Sequence, residues 1–127
     1  MTLTEKIFTL KSIKPFNQLS DDELILVANT AEEKHYKDGV QIYSKGTNIY
    51  SMLLITQGKV TINNEKEYQN KYIGFQELVN DDVLDYDIYA AGDVTLLSLS
   101  KAHLLTTLYE SPSIMIGFLE LKSGAKL

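Results

Sequence analysis

Hydrophobic and polar positions fall into three regimes: helical spacing at the start, alternation with a period of two from His35 to Leu99, and helical spacing again at the end. Ile7, Phe8, Leu10 and Ile13 lie at spacings close to one helical face, and Pro15 closes that segment because the residue before proline avoids helical backbone. Ser20-Asp21-Asp22-Glu23 has the form of a capping box, with Leu19 and Leu24 placed for a hydrophobic staple. Leu24, Val27, Ala28 and Ala31 continue it as one stripe, so the pattern predicts a helix over 21–33.

In the alternating region Asp38-Gly39 and Lys45-Gly46 read as turns, and residues 50–56 form a strongly apolar strand. Gln57-Gly58 is expected to reverse the chain into an alternating strand over 59–62. Asn63 to Glu67 reads as a solvated loop and 68–72 as a weaker strand, while Gly92-Asp93 reads as the turn of a hairpin between 88–91 and 94–99. Ser100 then caps a helix carrying Leu104, Leu105 and Leu108 on one face. Ser111-Pro112 opens a last one, apolar nearly all round through Ile114, Met115, Phe118, Leu119 and Leu121.

The pattern predicts a single domain over 1–127 of mainly β class. Helices over 5–33 and 101–122 flank about eight short strands over 35–99, closing into a roll or sandwich of jelly-roll type. One stretch, 73–90, interrupts the strands with a glycine, a brief apolar turn and a loop crowded with carboxylates. Long irregular excursions in compact domains tend to carry binding or regulation, so candidate chemistry is sought there first.

Composition narrows the function classes. Net charge is −5, and all 12 basic residues are lysine. An acidic chain without arginine is poorly suited to nucleic acid, whose affinity comes mostly from cations on phosphates. No apolar run reaches membrane-spanning length, and cysteine is absent, so a cytoplasmic protein without membrane insertion is the expectation. His35 and His103 are far apart with no cysteine near either, which disfavours a metal site and a metal-dependent jelly-roll enzyme. The serines at 20, 100 and 111 are explained by capping, and no catalytic constellation is visible. The acidic run 80–87 lacks the glycine and closing glutamate of a calcium loop, and reads as solvated.

The chain resembles the cyclic-nucleotide-binding domains of catabolite-activator-type regulators and of protein kinase A regulatory subunits. The resemblance is carried by Leu10 to Ile13, Pro15-Phe16, the helix from Leu19 to Ala31, Tyr36, Gly39, Ile42, Gly46, Leu53 to Ile55, Gly58 and Val60. It continues through Phe75, Glu77, Ala90, Asp93, Leu96-Leu97, Leu99, Leu105 and Pro112. It implies an eight-stranded β-roll with a phosphate-binding cassette reading Phe-Gly-Glu, a short helix, then Arg-Ala-Ala. Such a pocket needs a cation, backbone amides and a carboxylate acceptor for the ribose.

On this chain the candidate cassette comprises Gly74, Phe75, Gln76, Glu77, Leu78, Leu84, Asp85 and Tyr86. Phe75 and Glu77 match the motif, and Gln76 replaces its glycine. Leu84 falls on the arginine, with Asp85 and Tyr86 on the two alanines. The expected function is a regulatory module with weak or no binding of cAMP or cGMP. The alternative is a working sensor of either nucleotide through Glu77, backbone amides and Lys71. In both readings no cofactor is implied, the partner is an attached or separate effector protein, and the last helix, 114–121, is a candidate homodimer contact. A DNA-binding role is disfavoured, since no helix-turn-helix follows the roll.

Overall fold

The computed structural model describes residues 1–68, 71–114 and 116–117. They divide between two compact units, one of residues 1–31 with the chain after 101, the other of residues 32–101.

The first unit is helical. Helix α1 (Leu3–Lys11) starts at a capping box in which Thr2 Oγ1 accepts from Glu5 N and Glu5 accepts from Thr2 N. Leu10 and Ile13 are buried, but Phe8 is 73% exposed. Two residues from Leu10 is about 200° round the helix, so Phe8 leaves the face assigned to it. A single 3-10 turn at Phe16–Gln18 leads to α2 (Asp21–Thr30), whose Ser20–Glu23 capping box forms as expected. Leu24, Val27, Ala28 and Ala31 make its buried stripe. The Lys6 ammonium donates to the Ala31 carbonyl at 2.8 Å. Helix α2 ends three residues before the expected boundary at Glu33, because residues from Glu32 onward pair in the sheet instead.

Helix α4 (Lys101–Glu110) buries Leu104 and Leu108 while Leu105 is exposed, one step of about 100° off that face. Residues 112–114 and 116–117 are helical. The rest of the expected last helix, including Met115 and 118–121 of the candidate dimer contact, lies outside the described residues.

The second unit is an antiparallel six-stranded sheet: β1 (Glu32–Tyr36), β2 (Gln41–Tyr43), β3 (Ser51–Ile62), β4 (Lys66–Glu67), β5 (Tyr72–Ile73) and β6 (Ile88–Ser100). The long strands β3 and β6 pair along their whole length, and β1 and β2 add to β6 as β4 and β5 add to β3. Met52, Leu54, Ile73, Leu84, Ile88, Leu96, Leu97 and Leu99 are fully buried and form its core.

Among the described residues there are six strands where eight short ones were expected, because two expected turns are not turns. At Gln57-Gly58 and Gly92-Asp93 the chain does not reverse; each pair lies inside one continuous strand. Between the pairs Gln57–Thr95 and Lys59–Ala91, β3 contributes one residue and β6 three, a paired irregularity that bends both strands. Gly58 has φ +89°, and a Cβ there would sit 2.3 Å from the Asp93 carbonyl oxygen, so the bend requires a glycine. The solvated loop at 63–67 is also revised. Asn63 and Asn64 adopt left-handed backbone at φ 53° and 61°, and the three-residue loop they form with Glu65 pairs Lys66 and Glu67 with Ile62 and Thr61.

Candidate functional site

The cassette lies wholly within the sheet unit, between β5 and β6. Its helix α3 (Phe75–Asn80) opens at Gly74, where φ is +91° and a Cβ would come 2.4 Å from Ile49 Cδ1. Only glycine fits that turn. Phe75 and Leu78 are buried and clamp the helix down, leaving Gln76 and Glu77 half-exposed. Asp81 ends α3 in left-handed backbone, its amide and that of Asp82 both bonding the Glu77 carbonyl. Its carboxylate pairs with Lys101.

The loop after α3 is tied down by its backbone. Leu84 N donates to Thr47 O at 3.1 Å, Gly46 N donates to Leu84 O at 2.7 Å, and Asn48 bridges Val83. The Leu84 side chain is fully buried. Where the resemblance implies a cation facing the ligand, this chain has a hydrocarbon facing the core. Asp85 is exposed.

Tyr86 is half-buried and lies in a cluster the alternation pattern did not reveal. Its ring centroid is 6.3 Å from that of Tyr68. Burial, then the neighbouring Tyr68 and the Glu77 carboxylate, push the Tyr86 hydroxyl far above the usual phenol range, and it hydrogen-bonds Tyr68. Tyr68 in turn donates to the Tyr72 carbonyl at 2.8 Å. Burial foremost, with Tyr68 second, also raises Tyr72. Of the candidate residues, then, Tyr86 lies within the field of the Glu77 carboxylate, Leu84 is in the core and Asp85 is in solvent.

Asp87 was read as one of several solvent-facing acids. It is instead half-buried: its carboxylate accepts from Lys45 N at 2.7 Å and from Gln41 Nε2 at 3.1 Å, and its backbone exchanges hydrogen bonds with Asn63. Neither the pairing of Tyr68 with Tyr86 nor that of Asp87 with Asn63 carries a local signal, since the partners lie at least eighteen residues apart in the chain. Lys71, the candidate substitute cation, is exposed and lines a cavity with Lys59, Glu67 and Tyr68; no residue of α3 or of 81–86 lines it. Among the described residues no group of three His, Cys, Asp or Glu is placed to hold a metal, and no helix is long and apolar enough to cross a membrane.

No family model matches the chain. Among curated proteins, a cGMP-dependent protein kinase, isozyme 2 forms cD5/T2, of Drosophila melanogaster is 35% identical over 66 residues, which is 50% of this chain and 7% of that one. The chain thus spans a small part of that relative.

Among solved structures, the regulatory domain of Toxoplasma gondii PKA with cAMP superposes with a TM-score of 0.78 at 17% identity, covering 98% of this chain and 50% of the other. The regulatory subunit of a cAMP-independent protein kinase A from Trypanosoma brucei gives 0.80 at 22% identity, covering 98% and 46%. A variant of the latter, in which a glutamate is changed to alanine, a threonine to arginine and the adjoining valine to alanine, is bound to cAMP in its A site. It gives 0.76 at 18% identity, covering 89% and 45%. The sheet and these superpositions agree: the chain has the cyclic-nucleotide-binding fold carried by protein kinase regulatory domains.

Proposed function

We propose that this chain is a regulatory module whose nucleotide pocket is closed by its own side chains. In this reading cAMP and cGMP bind weakly or not at all, and the module acts in the cytoplasm by docking to an effector protein, attached or separate. The observation that carries the reading is the exchange at the cassette: Leu84 is fully buried where the resemblance implies the anion clamp, while the half-buried Tyr86 stands where it implies a small alanine.

Two physical effects act in the same direction. Without a guanidinium the phosphate loses a charge-assisted contact of about 1.5–3 kcal/mol, roughly ten- to a hundredfold in affinity. The half-buried Tyr86 ring takes volume at a cassette position where the resemblance implies only a methyl group. The T. brucei subunit is described as cAMP-independent, and a variant of it in which one glutamate is made alanine, one threonine arginine and the next valine alanine is bound to cAMP, the direction this reading expects of a gained arginine. The competing sensor reading needs Lys71 at the phosphate, and Lys71 lines a cavity that contains no cassette residue.

The kinase regulatory domains among the structural neighbours support a signalling effector of that class and a regulatory rather than catalytic role. Isothermal titration of the purified chain with cAMP and with cGMP tests the proposal. The expected result is no saturable heat at micromolar nucleotide; a micromolar or tighter dissociation constant for either nucleotide overturns it.

A further inference from the structure

Three segments distant in the chain meet at Asp87: the turn at 44–48, the loop at Asn63 and residues 84–87. One oxygen of the Asp87 carboxylate accepts from the Lys45 amide at 2.7 Å and from Gln41 Nε2 at 3.1 Å. The Asp87 amide donates to Asn63 Oδ1 at 3.0 Å, and its carbonyl accepts from the Asn63 amide at 2.8 Å. Three residues earlier in the chain, Leu84 O accepts from Gly46 N at 2.7 Å and Leu84 N donates to Thr47 O at 3.1 Å.

Both sets of bonds run to the same turn. Its amides at Lys45 and Gly46 are adjacent, one held by Asp87 and the other by Leu84. Thr47 closes the turn on itself, donating from its hydroxyl to the Ser44 carbonyl at 2.6 Å. The turn is therefore a short, stiff piece, and it cannot leave Asp87 without pulling Gly46 from Leu84. Leu84 is the apolar anchor of the segment, fully buried, while Val83 before it and Asp85 after it are exposed. Backbone hydrogen bonds on an exposed rim are among the first to open, so the charge-assisted bonds to the Asp87 carboxylate are what hold this one shut.

From this arrangement we infer that Asp87 locks a strap across the end of the cassette: residues 44–48 and 83–87 open and close as one cooperative unit, and Leu84 leaves the core only when that unit opens. The lock is made wholly of contacts within the chain. It gives the sheet unit a two-state element, and a partner that binds only the open form shifts this single equilibrium. The inference does not depend on whether the pocket accepts a nucleotide.

Amide hydrogen exchange of the full chain, followed by nitrogen–proton correlation spectra under conditions where reclosing outpaces exchange, tests it. The amides of Lys45, Gly46, Asn63, Leu84 and Asp87 are expected to share one protection factor, lower than that of the β3–β6 ladder at 52–55 and 96–99. Asp87→Ala is expected to speed exchange at Lys45, Gly46, Asn63 and Leu84 together by about tenfold or more, the equivalent of one lost charged hydrogen bond, with the ladder unchanged. Asp87→Asn keeps an acceptor oxygen and should restore most of the protection. Gln41→Ala, at an exposed position, removes one donor from the same carboxylate and should speed the same amides together by about two- to tenfold, which keeps the test readable should Asp87→Ala fail to fold. Unrelated protection factors across the five amides, a change confined to Lys45, no change in either alanine variant, or a ladder that accelerates as much as the strap would each overturn it. Titration with cAMP or cGMP tests the cassette separately, so either reading can fail while the other stands.

Discussion

If Leu84 and Tyr86 are what close the pocket, rewriting three positions as Leu84→Arg, Asp85→Ala and Tyr86→Ala should open it. Leu84 is completely enclosed, so exchanging it for an unpaired guanidinium should cost about 3–5 kcal/mol of folding stability, from lost packing and an uncompensated charge. A domain of this size holds roughly 5–15 kcal/mol in total, so the variant should fold with a lowered thermal midpoint. Ligand would reverse part of that loss. The arginine–phosphate contact supplies about 1.5–3 kcal/mol, and removal of the Tyr86 ring frees the space beside Glu77. Asp85 is exposed, so deleting its charge contributes less, about 0.8 kcal/mol at 5 Å in a water-like dielectric. At cAMP one hundred times its dissociation constant, linkage returns about 2.7 kcal/mol.

The assay is a thermal melt with and without cAMP, on the wild type, the triple variant and an Asp85→Ala/Tyr86→Ala double variant. A ligand-dependent midpoint is expected in the triple variant alone or, if the double variant also responds, at least about tenfold stronger in the triple. The reasoning fails if the wild type shifts as much as the triple variant, or if the triple variant melts cooperatively and ignores cAMP.

Other outcomes follow from the same geometry. Tyr86 has a raised pKa in the folded state, so its contribution to stability is fully present below the unfolded phenol value near pH 10 and is lost as pH rises from there toward the folded value. Urea denaturation between about pH 8 and 11.5 should show that decline, and Tyr86→Phe should make it shallower without abolishing it, since Tyr72 is raised as well. Gly58 and Gly92 have similar φ, +89° and +82°, yet only a Cβ at 58 meets backbone; Gly58→Ala should therefore destabilise by at least about 1 kcal/mol more than Gly92→Ala in chemical denaturation. Ser20→Ala removes one side of a formed capping box and should cost about 0.5–2 kcal/mol, read from the same curves.

Local signals carried much of this protein. The Ser20 capping box, the stripe from Leu24 to Ala31 and the alternation through the roll are written at fixed offsets, where short-range geometry alone dictates the outcome. The lost arginine was equally plain, because a missing residue type needs no structure to detect. What the sequence did not decide is where positions far apart in the chain meet. Gly58 and Gly92 each offer positive φ, which suits a reversal or a bulge equally well, and the choice was made by partners distant in the chain: by β3 and β6 pairing along their full length. Tyr68 and Tyr86 look like ordinary strand and loop tyrosines until the fold stacks one near the other beside Glu77. Asp87 belonged to an acidic loop until Lys45, Gln41 and Asn63 closed around it. Sequence thus determined the elements and the absence of arginine; tertiary contact alone determined where Tyr68, Leu84, Tyr86 and Asp87 come to lie, because burial and pairing are properties of neighbours in space.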